Sequence, residues 1–486
     1  MIKSNSFIKD IITLSSVPLI SQILGLLLTP IVTRIYAPEE FGILNTFASV
    51  TAFLGVIATL AFHSSILLPK KDSKAFNMLI VCFISTIFFT LILGLIIFIF
   101  HDLIIDKLNI VTLKNYIFLI PLFVFLHGIF QTLRFWNTRF KNFTTIAISK
   151  ASEVITNKAV VLGLGFSGYI TAGSLILGVL IASVIKNFVL LKNFFSRASE
   201  IKNVKSNHLI EGAKRYVKFP KYSLWSELLS RAPALIIVLL ILKFFDSTVL
   251  GYYALCIMVL NIPTVFITSS IMEAFSPRAA EAKHTNKHID LLKEIYQRVV
   301  SLTIFPFIIL VVYGDVLFVN FFGEEWFEAG LIAQIFVFRV FCEIIFDPII
   351  SLTVIIEKQE INLLRRVLNI IVITISLIVG GYYENYFLAF ILLSISQGLA
   401  TIFIGNYLMK IMKIKIFSLF NKTKYYFKLS IFFLITLVLS KVVLNISFIM
   451  LIIIFLLLTF IYYYLVFLHD KVLFHKIKNI LINNEK

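Results

Sequence analysis

Residues 76–100 read FNMLIVCFISTIFFTLILGLIIFIF, a run of 25 residues without a charged side chain. About 20 consecutive apolar residues suffice for a helix to cross a bilayer, because all of its backbone groups are then hydrogen-bonded within the segment. Comparable runs lie at about 10–33, 41–63, 76–100, 115–134, 143–163, 168–190, 222–243, 248–273, 298–320, 330–355, 363–383, 386–409, 428–446 and 447–468. The sequence therefore predicts an all-α, polytopic membrane protein with about 14 transmembrane helices.

The composition agrees with a protein that is covered by lipid. Apolar residues make up 59% of the 486 residues and charged residues 14%, whereas a soluble domain is about half apolar and about a quarter charged. This excludes a soluble enzyme and a secreted disulfide-rich scaffold. Cys82, Cys256 and Cys342 all lie within apolar runs, so neither a disulfide framework nor a metal site is expected.

The net charge of +18 comes from 44 Lys and Arg residues against 26 Asp and Glu residues. Basic residues concentrate in every second loop, for example at Lys70 and Lys71 and in the long loop 192–221. Since loops rich in Lys and Arg stay in the cytoplasm, the pattern predicts a multi-pass membrane protein with both termini cytoplasmic. The charge then reflects topology and attraction to anionic membrane lipids, and no nucleic-acid partner is expected.

An internal similarity relates the first two spans to spans seven and eight. Arg34 precedes Gly42 by eight residues, and Lys243 precedes Gly251 by eight, in each case across a short loop that opens a new span. An offset of six spans predicts a parallel repeat, with chance similarity of apolar segments as the alternative. The predicted organisation is an N-terminal six-helix lobe at 1–191, a basic cytoplasmic linker at 192–221, a C-terminal six-helix lobe at 222–412, and two extra transmembrane helices with a cytoplasmic tail at 413–486.

Three short motifs carry a resemblance to a known family. They are TRIYAPEEFGILNTF at 33–47, LGYYAL at 250–255 and FSPRAAEA at 275–282. With the number of spans, they resemble the polysaccharide (O-antigen type) flippases of the multidrug/oligosaccharidyl-lipid/polysaccharide exporter superfamily. One departure is that many members carry an Asp-Arg pair in span seven, where this chain reads ALIIVLLILKFF at 234–245.

The resemblance implies a function. Such proteins lie in the bacterial cytoplasmic (inner) membrane. They flip oligosaccharide repeat units, linked through pyrophosphate to undecaprenol, from its inner to its outer face for O-antigen, lipopolysaccharide or capsule-type synthesis. The expected partners are the lipid-linked oligosaccharide, membrane lipids, and the polymerase and chain-length proteins of the same pathway. No covalent bond is made, so the protein is not expected to be an enzyme. No phosphate-binding loop occurs, and no cofactor is expected.

An anionic pyrophosphate cannot cross hydrocarbon unaided, so the carrier needs cations inside its spans. Four residues are predicted to bind substrate: Arg34, Lys158, Arg231 and Arg278. Arg34 ends span one, where snorkelling to outer headgroups is the alternative. Lys158 lies deep in span five, and pairing with another helix is its alternative. Arg278 stands in the FSPRAAEA motif.

Acidic residues within the spans are candidates for ion coupling, namely Glu153, Glu343 and Asp347. Glu153 follows Lys150 by three residues, so the two are expected to pair on one helix face. Arg339, Glu343 and Asp347 recur every four residues in span ten, where a pair between Arg339 and Glu343 would leave Asp347 unpaired. Bracing between helices is the alternative role of this stripe.

Span seven combines charges with a proline. Glu227 and Arg231 are four residues apart, so a local ion pair is the alternative to phosphate binding by Arg231. Pro233 is expected to break the helix there. His63 and His127 lie in spans two and four and are interpreted as satisfied interior histidines.

Two other functions stay open at the level of sequence. A cation-coupled multidrug exporter of the same superfamily would need an apolar, acid-lined cavity, and the interior cations disfavour it. A membrane-embedded glycosyltransferase or polysaccharide polymerase would carry acidic and Arg clusters on a large outer loop, whereas the outer loops here are short.

Overall fold

The computed structural model describes residues 21–195, 206–262, 264, 287–351, 353, 357–412, 414, 416–443 and 447–470, and these residues contain no β-strand. The helices are α1 (Ser21–Ile35), α2 (Pro38–Ala58), α3 (Asp72–Leu108), α4 (Ile120–Arg139), α5 (Phe143–Phe166), α6 (Ala172–Phe195), α7 (Ser206–Arg215), α8 (Leu224–Phe244), α9 (Ser247–Ile262), α10 (Lys287–Phe322), α11 (Phe327–Ser351), α12 (Glu360–Tyr382), α13 (Tyr386–Ile411), α14 (Ile416–Val443) and α15 (Phe448–His469).

In its described part, each predicted span overlaps one of these helices, and the prediction of an all-α polytopic membrane protein is confirmed. Ten helices of the described chain are long and apolar enough to cross a membrane. The described parts of α1 and α9 are shorter apolar helices. The remaining two predicted spans are α5 and α8, which carry charged residues in their interiors. The linker adds α7, a short amphipathic helix.

The chain divides into two compact units, Met1–Ala254 and Leu255–Lys486. This division does not fall at the basic linker, because α8 packs against α2 and so belongs to the first unit. The two predicted six-helix lobes are therefore not the same as these two units, and they stay a prediction based on the sequence repeat.

The first unit contains a tight contact between the two segments that the sequence repeat pairs. A Cβ atom added to Gly42 would overlap the carbonyl oxygen of Ser247, and one added to Gly251 would overlap the carbonyl oxygen of Pro38. Each glycine thus meets the carbonyl four residues before the other glycine. This reciprocal packing is the arrangement expected of two parallel repeats related by a twofold axis.

The second unit attaches the C-terminal helices to α10. The Nζ of Lys441 in α14 lies 2.8 Å from both carboxylate oxygens of Asp315 in α10. The hydroxyl of Tyr462 in α15 donates to the carbonyl of Ser301 at 3.0 Å, and its ring stacks on Phe305. The two helices beyond the predicted lobes are therefore packed elements of the second unit.

Candidate functional site

One partly buried ion pair joins α5 to α6 in the first unit. Among the described Lys, Arg, Asp and Glu residues, only Lys186 is buried, at 9% exposed. Its ammonium group bonds to the Glu153 carboxylate and also lies 4.2 Å from the centre of the Phe130 ring. Because a buried charge needs both a partner and a favourable surface, this arrangement indicates a brace between the two helices.

The predicted pair between Lys150 and Glu153 is wrong. No ion pair joins these two residues, although both are described, because the carboxylate of Glu153 turns to Lys186 on the adjacent helix. Lys150 is exposed and within electrostatic reach of Arg134, Glu153 and Lys186. It is thus a cation without its own counter-ion among the described residues.

Arg134 in α4 brings a second cation close to Lys150. Its guanidinium lies 5.0 Å from the centre of the Phe135 ring, and its buried Nε has no hydrogen-bond partner. The negative charge of Glu227 in α8 attracts this guanidinium, but the two side chains form no ion pair within the described chain. Arg134 therefore keeps donor capacity for an anionic group.

His63 lies in the 3-10 helix Phe62–Leu67, which follows the α2 span. The hydroxyl of Thr59 is 2.7 Å from its Nδ1, and Glu227 is 3.7 Å from its Nε2. Burial, together with the charges of Arg134 and His127, lowers the pKa of His63 from 6.5 to about 4. At neutral pH the contact with Glu227 is therefore between a neutral imidazole and a carboxylate. The interpretation of His63 as an interior histidine with partners fits these contacts.

His127 occupies the α4 face that meets α2. A Cβ on Gly55 would come within 2.8 Å of its ring, so the glycine makes room for the imidazole. Its Nε2 lies 3.3 Å from Nε2 of Gln131, and the charges of Arg134, Lys186 and Arg231 all reach it. His127 is therefore a neighbour of three cations from three different helices.

Arg231 in α8 is exposed and has no ion pair with Glu227. The local ion pair that was the alternative role of Arg231 does not form within the described chain, because Glu227 faces His63 instead. The expectation that Pro233 breaks the helix is also wrong, since α8 continues from Leu224 to Phe244 through it. The irregular turn lies earlier, in the π-helix Phe219–Ser223 that leads into α8.

These groups together have a surplus of positive charge. We call them the cation cluster and define it as Arg134, Lys150, Glu153, Lys186, Glu227 and Arg231. Four cations face two carboxylates, which leaves a net charge of +2 when the nearby histidines are neutral. Since charges within membrane spans are costly, this unbalanced group of charges is the candidate site for an anion.

Lys158 lies outside the cluster, two turns further along α5. Its ammonium group donates to the hydroxyl of Thr29 in α1 at 3.1 Å, and no carboxylate pairs with it among the described residues. The same Thr29 hydroxyl donates its own hydrogen bond to the carbonyl of Gly25, one turn earlier in α1. Lys158 is therefore a half-buried cation that pairs with another helix, as the alternative reading expected, but its partner there is a neutral hydroxyl and not a carboxylate.

Two predicted binding residues remain, Arg34 and Arg278. Arg34 is exposed near the end of α1, one residue before its last residue Ile35. Arg278 lies outside the described residues. Their predicted roles in substrate binding stay predictions.

The charged stripe of α11 in the second unit is balanced. Arg339 donates to Glu343 at 2.9 Å, which confirms the local pair. Asp347 is not left unpaired, because it accepts a hydrogen bond from Arg365 of α12 at 2.9 Å. The expectation of a free carboxylate was wrong because it considered one helix, whereas the partner comes from the next. These contacts brace α11 against α12.

Two cluster members were missed as site residues from the sequence. Lys186 lies within the predicted span 168–190, so an interior charge was visible in the sequence as a signal. Arg134 stood at the predicted end of span four and was assigned to a loop, but α4 continues to Arg139. No group of three or more metal-ligating residues occurs within the described part of the chain.

Comparisons with known proteins agree with this architecture. Residues 31–331, more than half of the chain, match the model of a family described as polysaccharide biosynthesis protein. Over 140 residues the chain is 27% identical to the teichuronic acid biosynthesis protein TuaB of Bacillus subtilis (strain 168), and this match spans 29% of each protein.

The fold is similar to that of solved membrane transporters. The Lipid II flippase MurJ, in an inward closed conformation, matches with a TM-score of 0.74 and 15% identity over 95% of this chain and 100% of that one. An inward-facing multidrug resistance MATE family transporter of the MOP superfamily matches with a TM-score of 0.56 and 12% identity over 83% of this chain and 98% of that one.

Proposed function

We propose a function from the premise that the chain belongs to the polysaccharide biosynthesis protein family and has the fold of MOP-superfamily transporters. The protein translocates a lipid-linked substrate across the membrane. More specifically, it flips oligosaccharides carried on undecaprenyl pyrophosphate from the inner to the outer face of the cytoplasmic membrane, for an O-antigen or capsule-type polysaccharide. Both termini lie in the cytoplasm, as the loop charges predict.

One observation carries the proposal, the surplus of cations in the first unit. Arg134, Lys150 and Arg231 have no ion pair to a carboxylate within the described chain. A pyrophosphate brings at least two negative charges, which would balance the net charge of +2 of the cluster. The names of two similar proteins, a Lipid II flippase and a teichuronic acid biosynthesis protein, support a saccharide linked to a lipid.

The members of the cation cluster have different roles in this proposal. The guanidinium groups of Arg134 and Arg231 bind phosphate oxygens, each with its planar set of donors. Lys150 adds a point charge, while the Lys186–Glu153 pair holds α5 and α6 in place. Lys158, with its single hydroxyl partner, is the next cation along α5 for a substrate that moves through the unit. Arg34 and Arg278 remain candidates for the two ends of that path.

The three acids predicted to couple transport to ions are each held by a basic side chain. Glu153 pairs with Lys186, Glu343 with Arg339, and Asp347 with Arg365. Protonation of any of these carboxylates would release the cation that it holds. Coupling to a proton gradient would then act through exchange of partners rather than through a free carboxylate.

A multidrug exporter is the second candidate, because a MATE family transporter shares the fold. Cationic drugs would meet like charges at Arg134, Lys150 and Arg231, which disfavours their binding. Deletion of the gene distinguishes the two functions, since only the exporter predicts greater sensitivity to cationic dyes with unchanged surface polysaccharide.

The experiment is a variant series in a host that lacks the chromosomal gene. Arg231→Ala is expected to lower export of surface polysaccharide about tenfold or more at equal membrane levels, because a charge-assisted contact to phosphate is lost. Arg231→Lys should retain part of the export. Lys243→Ala is the matched control, since it removes one exposed positive charge from the other end of the same helix. Equal loss in Lys243→Ala, or none in Arg231→Ala, contradicts phosphate binding by Arg231.

A further inference from the structure

A second polar site of the first unit is a cavity of about 640 Å³ between α7 and the beginning of α3. Its lining residues belong to two segments, eight of them between 68 and 78 and five between 208 and 216, and none belongs to the cation cluster. Small-molecule sites have volumes of about 300–1,000 Å³, so the cavity is large enough for a small polar group.

Close packing fixes the wall that α7 provides. Leu209 and Ala213 of α7 pack on the core cluster that contains the buried Phe76 of α3. A Cβ on Gly212 would lie 3.0 Å from the sulfur of Met78, so the glycine permits this close approach. The helix is therefore held against α3, and its polar face is turned to the cavity.

An ion pair fixes the opposite wall. Arg139 donates to the carboxylate of Asp72, the first residue of α3, at 2.9 and 3.1 Å. The same guanidinium donates to the carbonyl of Ile66 at 3.1 Å. The loop between these residues is thus tied at both ends to α4, and its lysines are held beside the cavity.

The lining is strongly basic. Its fixed charges are Lys70, Lys71, Lys74 and Arg215, against the single carboxylate of Glu211. These four cations form no ion pair within the described part of the chain, and the site has a net charge of +3 with His208 neutral. This is the electrostatic environment that an anion with more than one negative charge requires.

Two further features of the lining favour a phosphate group. Asn77 is 8% exposed and lines the cavity, yet its amide has no hydrogen bond within the described residues. The α3 helix begins beside the cavity, and its N-cap residue Lys71 provides no side-chain cap for the amides of the first turn. Backbone N–H groups at a helix N-terminus bind phosphate because their partial charges are positive.

We propose that this cavity binds the phosphate group of an anionic ligand and that the bound anion joins the linker helix α7 to α3. The sequence places the lining in two basic loops on the predicted cytoplasmic side, where anionic phospholipids attract Lys and Arg. The phosphate therefore comes either from a phospholipid headgroup or from a soluble phosphate compound. The inference concerns a site apart from the cation cluster and does not depend on the proposed transport function.

The test uses the full-length protein reconstituted in phosphatidylcholine. Native mass spectrometry counts bound phosphatidylglycerol after titration, and thermal stability is followed with phosphatidylglycerol, glycerol 3-phosphate or inorganic phosphate. The variants are Lys74→Gln with Arg215→Gln, and Asn77→Leu, which keeps the charge but removes the amide. The matched control is Lys214→Gln, which removes an exposed charge from α7 beside the cavity-lining Arg215. All variants must have the wild-type melting temperature in phosphatidylcholine alone.

The proposal predicts a specific pattern of binding. Loss of Lys74 and Arg215 together weakens binding at least about tenfold, and Asn77→Leu weakens it several-fold, while Lys214→Gln binds as the wild type does. Binding of phosphatidylglycerol alone identifies a lipid headgroup, and binding of the soluble phosphates with the same dependence on these residues identifies a soluble ligand. Equal weakening in Lys214→Gln, or no dependence of either ligand on Lys74, Arg215 and Asn77, overturns the proposal.

Discussion

The buried pair between Lys186 and Glu153 makes a prediction that separates bracing from ion coupling. Replacement of Lys186 by Met leaves the Glu153 carboxylate without its partner inside the helix bundle. Replacement of both residues, by Met and Leu, removes the uncompensated charge and keeps the volume filled. We expect the single variant to be much less stable than the double variant.

The magnitude follows from burial. Loss of one partner of a fully buried pair costs about 3–5 kcal/mol. The side chain of Lys186 is 11% exposed and that of Glu153 33% exposed, so the cost is below that limit. We expect about 2–3 kcal/mol for Lys186→Met, including the lost contact with Phe130. The double variant should lie within about 1 kcal/mol of wild type, because apolar replacement of both partners is close to neutral.

The assay is a double-mutant cycle on the free energy of unfolding in mixed micelles, with transport measured in parallel. The surface pair Arg298–Glu294, with side chains 32% and 46% exposed, is the control, and Arg298→Met should cost about 0.5 kcal/mol or less. A stable double variant that still transports identifies a brace. The reasoning is refuted if Lys186→Met is as stable as wild type, or if the double variant is no more stable than the single.

Three further predictions concern other contacts. The folded protein holds the pKa of His63 at about 4 instead of 6.5, so the unfolded chain binds the extra proton and stability should fall by about 3 kcal/mol as pH drops through that interval. His63→Gln should flatten this part of a plot of melting temperature against pH, and an unchanged slope contradicts the assignment. Gly42→Ala should abolish accumulation in the membrane because its Cβ overlaps a backbone carbonyl, whereas Gly163→Ala, with open space around it, should accumulate normally. Asp347→Asn should cost about 1–2 kcal/mol by leaving Arg365 without its carboxylate, and a thermal melt at wild-type temperature would contradict that pair.

The sequence was sufficient for the membrane fold because hydropathy reports directly on spanning helices. The described part of every predicted span overlaps a helix, and the resemblance to polysaccharide flippases agrees with the family match and the fold. The equal spacing before Gly42 and Gly251 also has a structural counterpart, since each glycine packs on the carbonyl before the other. These features depend on local composition and on short motifs, which a single sequence displays.

The interior charges were harder to assign because their partners are distant along the chain. The spacing of three residues favoured Lys150 as the ion-pair partner of Glu153. The actual partner is Lys186, which is 33 residues further along the chain. Asp347 lacked a partner on its own helix and found Arg365, 18 residues further on. Pairing on one helix is visible as a spacing, whereas pairing between helices depends on how the helices pack, which spacing does not encode.

The central claim is that this chain flips a lipid-linked oligosaccharide. The most direct measurement follows radiolabelled precursors in a host deleted for the gene, with accessibility to a membrane-impermeant probe reporting the face on which they stand. The account predicts loss of surface polysaccharide with single repeat units trapped on the cytoplasmic face, restored by the wild-type gene and by Lys243→Ala but not by Arg231→Ala. Single repeat units that accumulate on the outer face would contradict flipping and identify a polymerase, and unchanged surface polysaccharide would contradict the account altogether.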